Sequence, residues 1–213
     1  MNERVDLVLQ EIRQRRRGDG RLVVAISGPP ATGKSTFSET LLAALTNGHS
    51  NRLTACIVPM DGFHLDNSQL DRLGLRARKG APATFDFDGF RSLLERIRAS
   101  RRPIYYPVFD RARDLAVAGA GVVLPETEVV IVEGNYLMLD EEPWSTLAPL
   151  FDLEVFLDTP APLLEQRLIQ RWLDHGHDPD AALARARSND IPNAEKVLSG
   201  MRHSPNALVL PGD

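Results

Sequence analysis

Residues 28–35 read Gly-Pro-Pro-Ala-Thr-Gly-Lys-Ser, and an unbroken apolar run at residues 22–26 feeds directly into them. The octet fits G-x-x-x-x-G-K-[S/T], the loop that cradles phosphate groups. The residue types follow from the chemistry. Gly28 and Gly33 let the backbone turn tightly and bring several N–H groups to bear on phosphate oxygens. Lys34 supplies a mobile point charge for the β- and γ-phosphates, and the Ser35 hydroxyl can ligate Mg²⁺. Helix-compatible sequence follows at residues 35–45, and a helix there points its positive end at the same anion. Strand, loop and helix in that order make Gly28, Pro29, Pro30, Ala31, Thr32, Gly33, Lys34, Ser35 and Thr36 the predicted nucleotide-phosphate site.

The rest of the chain extends this unit into an α/β protein. The 213 residues suit one domain spanning 1–213, with room for a mobile insert. Val5, Val8, Leu9 and Ile12 recur with helical spacing, and Gly18-Asp19-Gly20 is expected to end that helix. The cluster Arg13-Gln14-Arg15-Arg16-Arg17 reads as its cationic C-terminal end. Asn47-Gly48-His49-Ser50-Asn51 is turn-rich. Apolar segments at 54–60, 128–132 and 153–157 read as buried strands, with a last short strand at 207–210. Residues 103–109 are strand-like, and 119–124 suit a hairpin strand near the sheet edge. Helices are expected around Phe90, Leu93, Leu94 and Ile97, at 144–150, 161–174 and 180–188, with a turn or two at 194–198. Residues 64–85 read as an ordered loop region with one short helix, and a connection of that length is usually functional. Apolar strands alternating with helices argue for a mainly parallel sheet covered on both faces, a three-layer α/β/α arrangement.

Composition excludes several functions. A net charge of −4 and pI near 5.8 give no electrostatic footprint for nucleic acid. A single cysteine, Cys56, excludes an intrachain disulfide and a cysteine-rich zinc site, and its apolar surroundings suggest a core thiol. No apolar stretch approaches the length of a membrane span, and the charged, amphipathic N-terminal sequence is unlike a signal peptide. A cytoplasmic protein without a membrane partner is therefore expected.

In a parallel sheet with right-handed crossovers, every strand's C-terminal end lies on one rim, where ligands bind. Asp61, Glu133 and Asp158 each close an apolar strand and should share that rim with the phosphate loop. Asp61 is the candidate general base, taken to lie on the strand beside the phosphate loop. An Asp-Gly turn would give the same text. Glu133 is read as close to Mg²⁺ or the substrate, with a turn role as the alternative. Asp158 precedes Thr159-Pro160 and is read as the cap of the next helix. His64, Arg76, Arg78, Lys79, Arg111 and Arg113 sit in loops where they can clamp a substrate or simply favour solubility. Arg167 and Arg171 share one helix face and suit a lid over the γ-phosphate, or an ordinary amphipathic helix.

These residues resemble the uridine kinase, phosphoribulokinase and pantothenate kinase group of P-loop small-molecule kinases. GPPATGKST, MDGFH, RKGAPATFD, PVFDR, VVIVEGNYLMLD and RLIQRW occur in the group's order, over residues 22–193. EGNYLMLDEEPW and NDIPNA look like the bacterial branch described as fructose transport system kinases or uridine kinase-like proteins. The resemblance implies a P-loop NTPase fold with a small helical lid at 161–190 and an acceptor-binding loop region at 62–85. It also implies ATP and Mg²⁺ as cofactors, Asp61 as base, and Lys34 and Ser35 on ATP·Mg²⁺. Glu133 would lie beside the metal or acceptor, Arg167 and Arg171 in the lid, and Asn193 near the adenine. Where pantothenate and uridine kinases carry an acceptor-holding histidine, this chain has Asp110-Arg111-Ala112-Arg113. Two arginines there suit an acceptor bearing a phosphate or carboxylate, or could reach ATP.

The expected activity is phosphorylation of a hydroxyl on a small metabolite, with a sugar or sugar derivative ahead of a nucleoside or pantothenate. The rival of another class is a regulatory ATPase or nucleotide-switched binding module, which would use the same loop without an acceptor. Relatives in the group are often dimeric, so a homodimer is expected from the resemblance, although no apolar stripe in the sequence marks an interface.

Overall fold

A computed structural model of the chain describes residues 3–16, 20–47, 52–204 and 207–212. In chain order the elements are α1 (Glu3–Arg15), β1 (Leu22–Ser27), α2 (Lys34–Thr46), β2 (Ala55–Pro59), α3 (Asn67–Leu73) and α4 (Phe87–Ala99). They continue with β3 (Ile104–Asp110), β4 (Leu115–Val123), β5 (Val129–Gly134), β6 (Leu153–Asp158), α5 (Ala161–Asp174), α6 (Pro179–Arg185), α7 (Ile191–Ser199) and β7 (Ala207–Pro211). Single turns of 3₁₀-helix fill Met60–Phe63, Arg76–Arg78 and Pro82–Thr84, and a longer one spans Trp144–Leu150.

The five apolar strands form one sheet in the order β2-β5-β1-β6-β7, with every pairing parallel. Successive side chains of a strand point to opposite faces, so a sheet covered on both sides needs apolar residues at every position. That is why β1 and β5 are buried throughout. Val23, Ala25, Val130 and Val132 pack on one face with Phe90, Leu94, Tyr136 and Trp144. Val24, Ile26, Ile131 and Val155 pack on the other with Val8 and Ile12 of α1 and Phe37 and Leu41 of α2. A third, smaller cluster of Leu164, Leu168, Ala186 and Ala194 ties α5 to the helices behind it.

Four details differ from the sequence reading. β5 lies between β1 and β2, so the strand that ends at Asp61 is not the neighbour of the phosphate-loop strand. β3 and β4 form a separate antiparallel ribbon rather than the sheet's edge, and β4 begins at Leu115, earlier than expected. The helix expected over 180–188 ends at Arg185, and one π-helical turn at Ala186–Asp190 leads into α7, which is longer than the turn or two expected. Asp158 does not cap α5: the cap position is Pro160, with no side-chain cap bond, and Asp158 ends β6 in an exposed position. The expectations for Arg17, Gly18, Asp19 and residues 48–51 fall outside the described residues.

Cys56 sits in β2, where burial pushes its thiol up to about 11. A shift of about two units above the ordinary value of 9.0 leaves roughly 100-fold less thiolate at pH 8. Alkylation by iodoacetamide at pH 8 is therefore expected to be about 100-fold slower than for free cysteine. Because the raised value keeps the proton on the folded form, this contribution to stability is complete below pH 9.0 and is lost as pH climbs through about 11. Mass-spectrometric labelling rates check the first expectation, and a rate equal to that of free cysteine would refute it.

Candidate active site

The phosphate loop connects β1 to α2. Gly33 stands at the N-cap of α2 with φ +85°, a left-handed conformation that costs glycine little, and no side chain caps the helix. The first-turn N–H groups of a helix have no intrahelical partner, so this end is left for an anion. Lys34 lies in the first turn with 8% of its surface exposed, and its Nζ donates to the Pro29 carbonyl at 2.7 Å. Burial pulls its ammonium down to about 8, against the opposing pull of Glu133 and then Asp61.

Register fixes the two acidic residues beside this loop. Glu133 in β5 is paired with Ile26 of β1 on one side and Pro59 of β2 on the other. The next residues along these strands are therefore Ser27, leading into the loop, and Met60, leading into Asp61. The Ser35 hydroxyl donates to Glu133 Oε2 at 3.1 Å. Burial raises the Glu133 carboxyl above its ordinary range, with Lys34 acting in the opposite direction. Asp61 sits in the 3₁₀ turn that continues β2, and Arg111 Nη2 donates to its Oδ2 at 3.2 Å.

That turn is clamped by Gly62. A Cβ at Gly62 would lie 2.0 Å from the Pro107 carbonyl oxygen, a backbone atom that cannot swing away. Gly62→Ala is expected to cost at least about 2 kcal/mol of stability. Urea unfolding measures this, and a wild-type midpoint would show that β3 yields.

Most of the predicted residues share one cavity of about 590 Å³. Pro30, Ala31, Gly33, Lys34, Ser35 and Thr36 line its phosphate end, with Asp61 and Glu133 beside them. Gly28, Pro29 and Thr32 are buried behind that lining. His64, Lys79, Arg111, Arg171 and Asn193 also line the cavity. His64 Nδ1 donates to the Asp61 carbonyl at 2.8 Å, with its ring between Phe85 and Phe109. Burial lowers its pKa despite Asp61, which favours the neutral ring with Nε2 as an acceptor.

Three predicted arginines do not line the cavity. Arg78 donates to the Ser188 carbonyl at 2.9 Å, Arg113 to Asp110 at 2.7 Å, and Arg167 to the Ala31 carbonyl at 3.2 Å. Lys79 reaches the cavity, but its three N–H donors meet Asn67 Oδ1 at 2.8 Å, Asp114 O at 3.0 Å and Asp114 Oδ1 at 2.7 Å. Arg76, also read as a possible clamp, lines the cavity, whereas the sequence reading omitted Asp114, Trp172, Arg185, Asn189 and Asp190, which line it too. Asn189 Nδ2 donates to the Lys79 carbonyl at 2.8 Å, and Asn193 Nδ2 to Asn189 Oδ1 at 3.3 Å. With Arg78 on Ser188, these bonds tie the loop at 76–81 to the π-helical turn behind α6. The NDIPNA segment was the available signal for Asn189 and Asp190.

Ser35 and Glu133 offer the hard oxygen donors that Mg²⁺ takes, within hydrogen-bond distance of each other. Among the described residues no cluster of three or more His, Cys, Asp or Glu forms a metal cage. Mg²⁺ binds through one or two protein groups and substrate phosphates, and Ser35 and Glu133 could supply the protein groups. No described helix is long and apolar enough to cross a membrane.

The sequence profile of the Phosphoribulokinase / Uridine kinase family matches residues 23–202. The uncharacterized protein YggC of Escherichia coli (strain K12) is 39% identical over 186 residues, covering 86% of this chain and 76% of its own. A Schizosaccharomyces pombe protein provisionally named a uridine kinase is 34% identical over 188 residues, covering 85% and 80%. A crystal structure from Silicibacter sp. TM1040, of a protein provisionally described as a fructose transport system kinase, superposes with a TM-score of 0.90. It is 46% identical and covers 97% of this chain and 98% of its own.

Proposed function

The chain belongs to the phosphoribulokinase / uridine kinase family, and on that premise we propose that it transfers the γ-phosphoryl group of ATP to a hydroxyl of a small metabolite, a sugar or sugar derivative first among candidates. P-loop kinases of this kind use ATP with Mg²⁺. The supporting observation is that the phosphate loop, Asp61 and Glu133 open into one cavity. The provisional fructose label of the Silicibacter relative supports a sugar.

Phosphoryl transfer calls mainly for positioning and charge neutralisation. In this reading the P-loop amides and Lys34 hold the β- and γ-phosphates. Ser35 and Glu133 would hold Mg²⁺, which would supply charge neutralisation on the phosphate oxygens. The acceptor hydroxyl lies on Asp61, which takes its proton as the new oxygen–phosphorus bond forms and the γ-phosphorus parts from ADP. Arg171 faces the transferring group from the lid, while Arg167 steadies the loop through Ala31. Arg111 and His64 line the acceptor's approach. Lys79, Arg78 and Asn193 brace that wall, and Arg113 acts through Asp110.

The test is ATP consumption by the purified protein with and without a pooled metabolite library, with products followed by mass. Acceptor-dependent consumption with a product heavier by one phosphoryl group is expected. Consumption that responds only to a partner protein would favour the nucleotide-switched module.

A further inference from the structure

The engagement of the cations along the cavity bears on what the acceptor is, and this inference rests on the kinase reading above. Lys34, Arg76, Lys79, Arg111, Arg171 and Arg185 line it. Among the described residues the lining anions are Asp61, Asp114, Glu133 and Asp190, in a chain whose net charge is −4. A triphosphate, through Lys34 and Arg171, accounts for that excess of two cations, so what bears on the acceptor is how the remaining cations are engaged. Lys79 is neutralised in place by Asp114, with all three N–H groups occupied.

Arg111 is differently disposed. Its side chain is 67% exposed, and its one hydrogen bond among the described residues joins Nη2 to Asp61 Oδ2. A guanidinium has five N–H donors in a planar fork that matches carboxylate and phosphate geometry. Arg111 lines the cavity with one such donor engaged among the described residues. A half-exposed ion pair is weakly held, so an incoming anion can share or displace the Asp61 contact at little cost. Arg76 repeats the pattern: among the described residues its side chain is engaged through Nη1 alone, with Asp71 at 3.0 Å, and both side chains are about half exposed.

We propose that the acceptor is an anionic hydroxy compound: its hydroxyl rests on Asp61, and its carboxylate or phosphate is held by the fork of Arg111. The separation of 3.2 Å between Arg111 Nη2 and Asp61 Oδ2 allows both groups to belong to one small molecule, a few bonds apart. A neutral nucleoside or free sugar would leave the fork unmatched. A hydroxy acid and a sugar phosphate offer the same chemistry to Arg111, and the experiment separates them.

The wild-type protein with Mg·ATP is assayed against three sets at equal concentration: neutral polyols and nucleosides, hydroxycarboxylates, and sugar phosphates. The best kcat/KM is expected in one of the two anionic sets, and which set identifies the anion. For that compound, Arg111→Ala is expected to raise KM about 10- to 100-fold, more than it lowers kcat. Arg111→Lys should recover part of the loss, because it restores the charge without the fork. The melting temperature of Arg111→Ala and its Kd for a non-hydrolysable ATP analogue report whether fold and nucleotide site are intact, and both are expected to match wild type. A neutral best acceptor, or an unchanged KM in Arg111→Ala, overturns the inference and leaves the kinase standing. ATP binding without phosphorylation of any set overturns the kinase reading, and this inference with it.

Discussion

Asp61→Asn is expected to lower kcat about 10³-fold with the true acceptor, while the Kd for a non-hydrolysable ATP analogue stays within about threefold of wild type. The substitution keeps the side chain's size and leaves an amide oxygen to accept from Arg111, now 3.2 Å from the carboxylate. It removes only the capacity to take a proton and one negative charge. A positioned general base contributes about 10²- to 10⁴-fold, which sets the size of the effect. The turn itself should persist, because Met60 and Phe63 are buried and Gly62 remains clamped on Pro107. Asp61 raises the pKa of both Lys34 and Glu133, so its loss lowers both, and the Kd for the ATP analogue reads what this does at the phosphate end. Steady-state kinetics beside equilibrium binding separate turnover from affinity. Full turnover in Asp61→Asn would remove the base assignment.

The phosphate loop could be read directly because its chemistry is local: eight consecutive residues carry the glycines, the lysine and the hydroxyl. Asp61 and Glu133 were legible through a topological rule, since parallel strands with right-handed crossovers end on one rim. The order of the strands was not. Whether β2 lies beside β1 or beside β5 depends on pairings between segments about 75 residues apart in sequence, as in Ala55 with Val129, and no local pattern encodes them.

The loop cations show the same divide. Arg113 meets Asp110 three residues away, a spacing visible in the sequence. Arg78 meets Ser188, and Asn189 meets Lys79, each across 110 residues. Which cation braces the wall and which faces the cavity is decided by those long-range contacts. The π-helical turn hid Asn189 and Asp190 for a related reason. One wider turn changes the direction of the following side chains, yet its sequence reads as ordinary helix.

Lys34→Ala should differ from Asp61→Asn by weakening nucleotide binding as well as turnover. We expect a Kd for the ATP analogue at least about 30-fold higher and a loss in kcat/KM on the order of 10³-fold. The ammonium is buried, its Nζ donates to Pro29, and desolvation holds its pKa down to about 8. Such a cation is incompletely compensated, and a triphosphate supplies the missing negative charge in surroundings that screen it poorly. The gain should grow as the γ-phosphoryl moves, so affinity and rate fall together. Lys34→Arg makes the test sharper. It keeps the positive charge but places a wider, planar group in a slot with 8% exposure, hard against the loop's own carbonyl. Arginine should therefore fail to restore kcat/KM. Recovery of wild-type kcat/KM by arginine would mean that a diffuse charge suffices, and that the buried seat of Lys34 contributes nothing to catalysis.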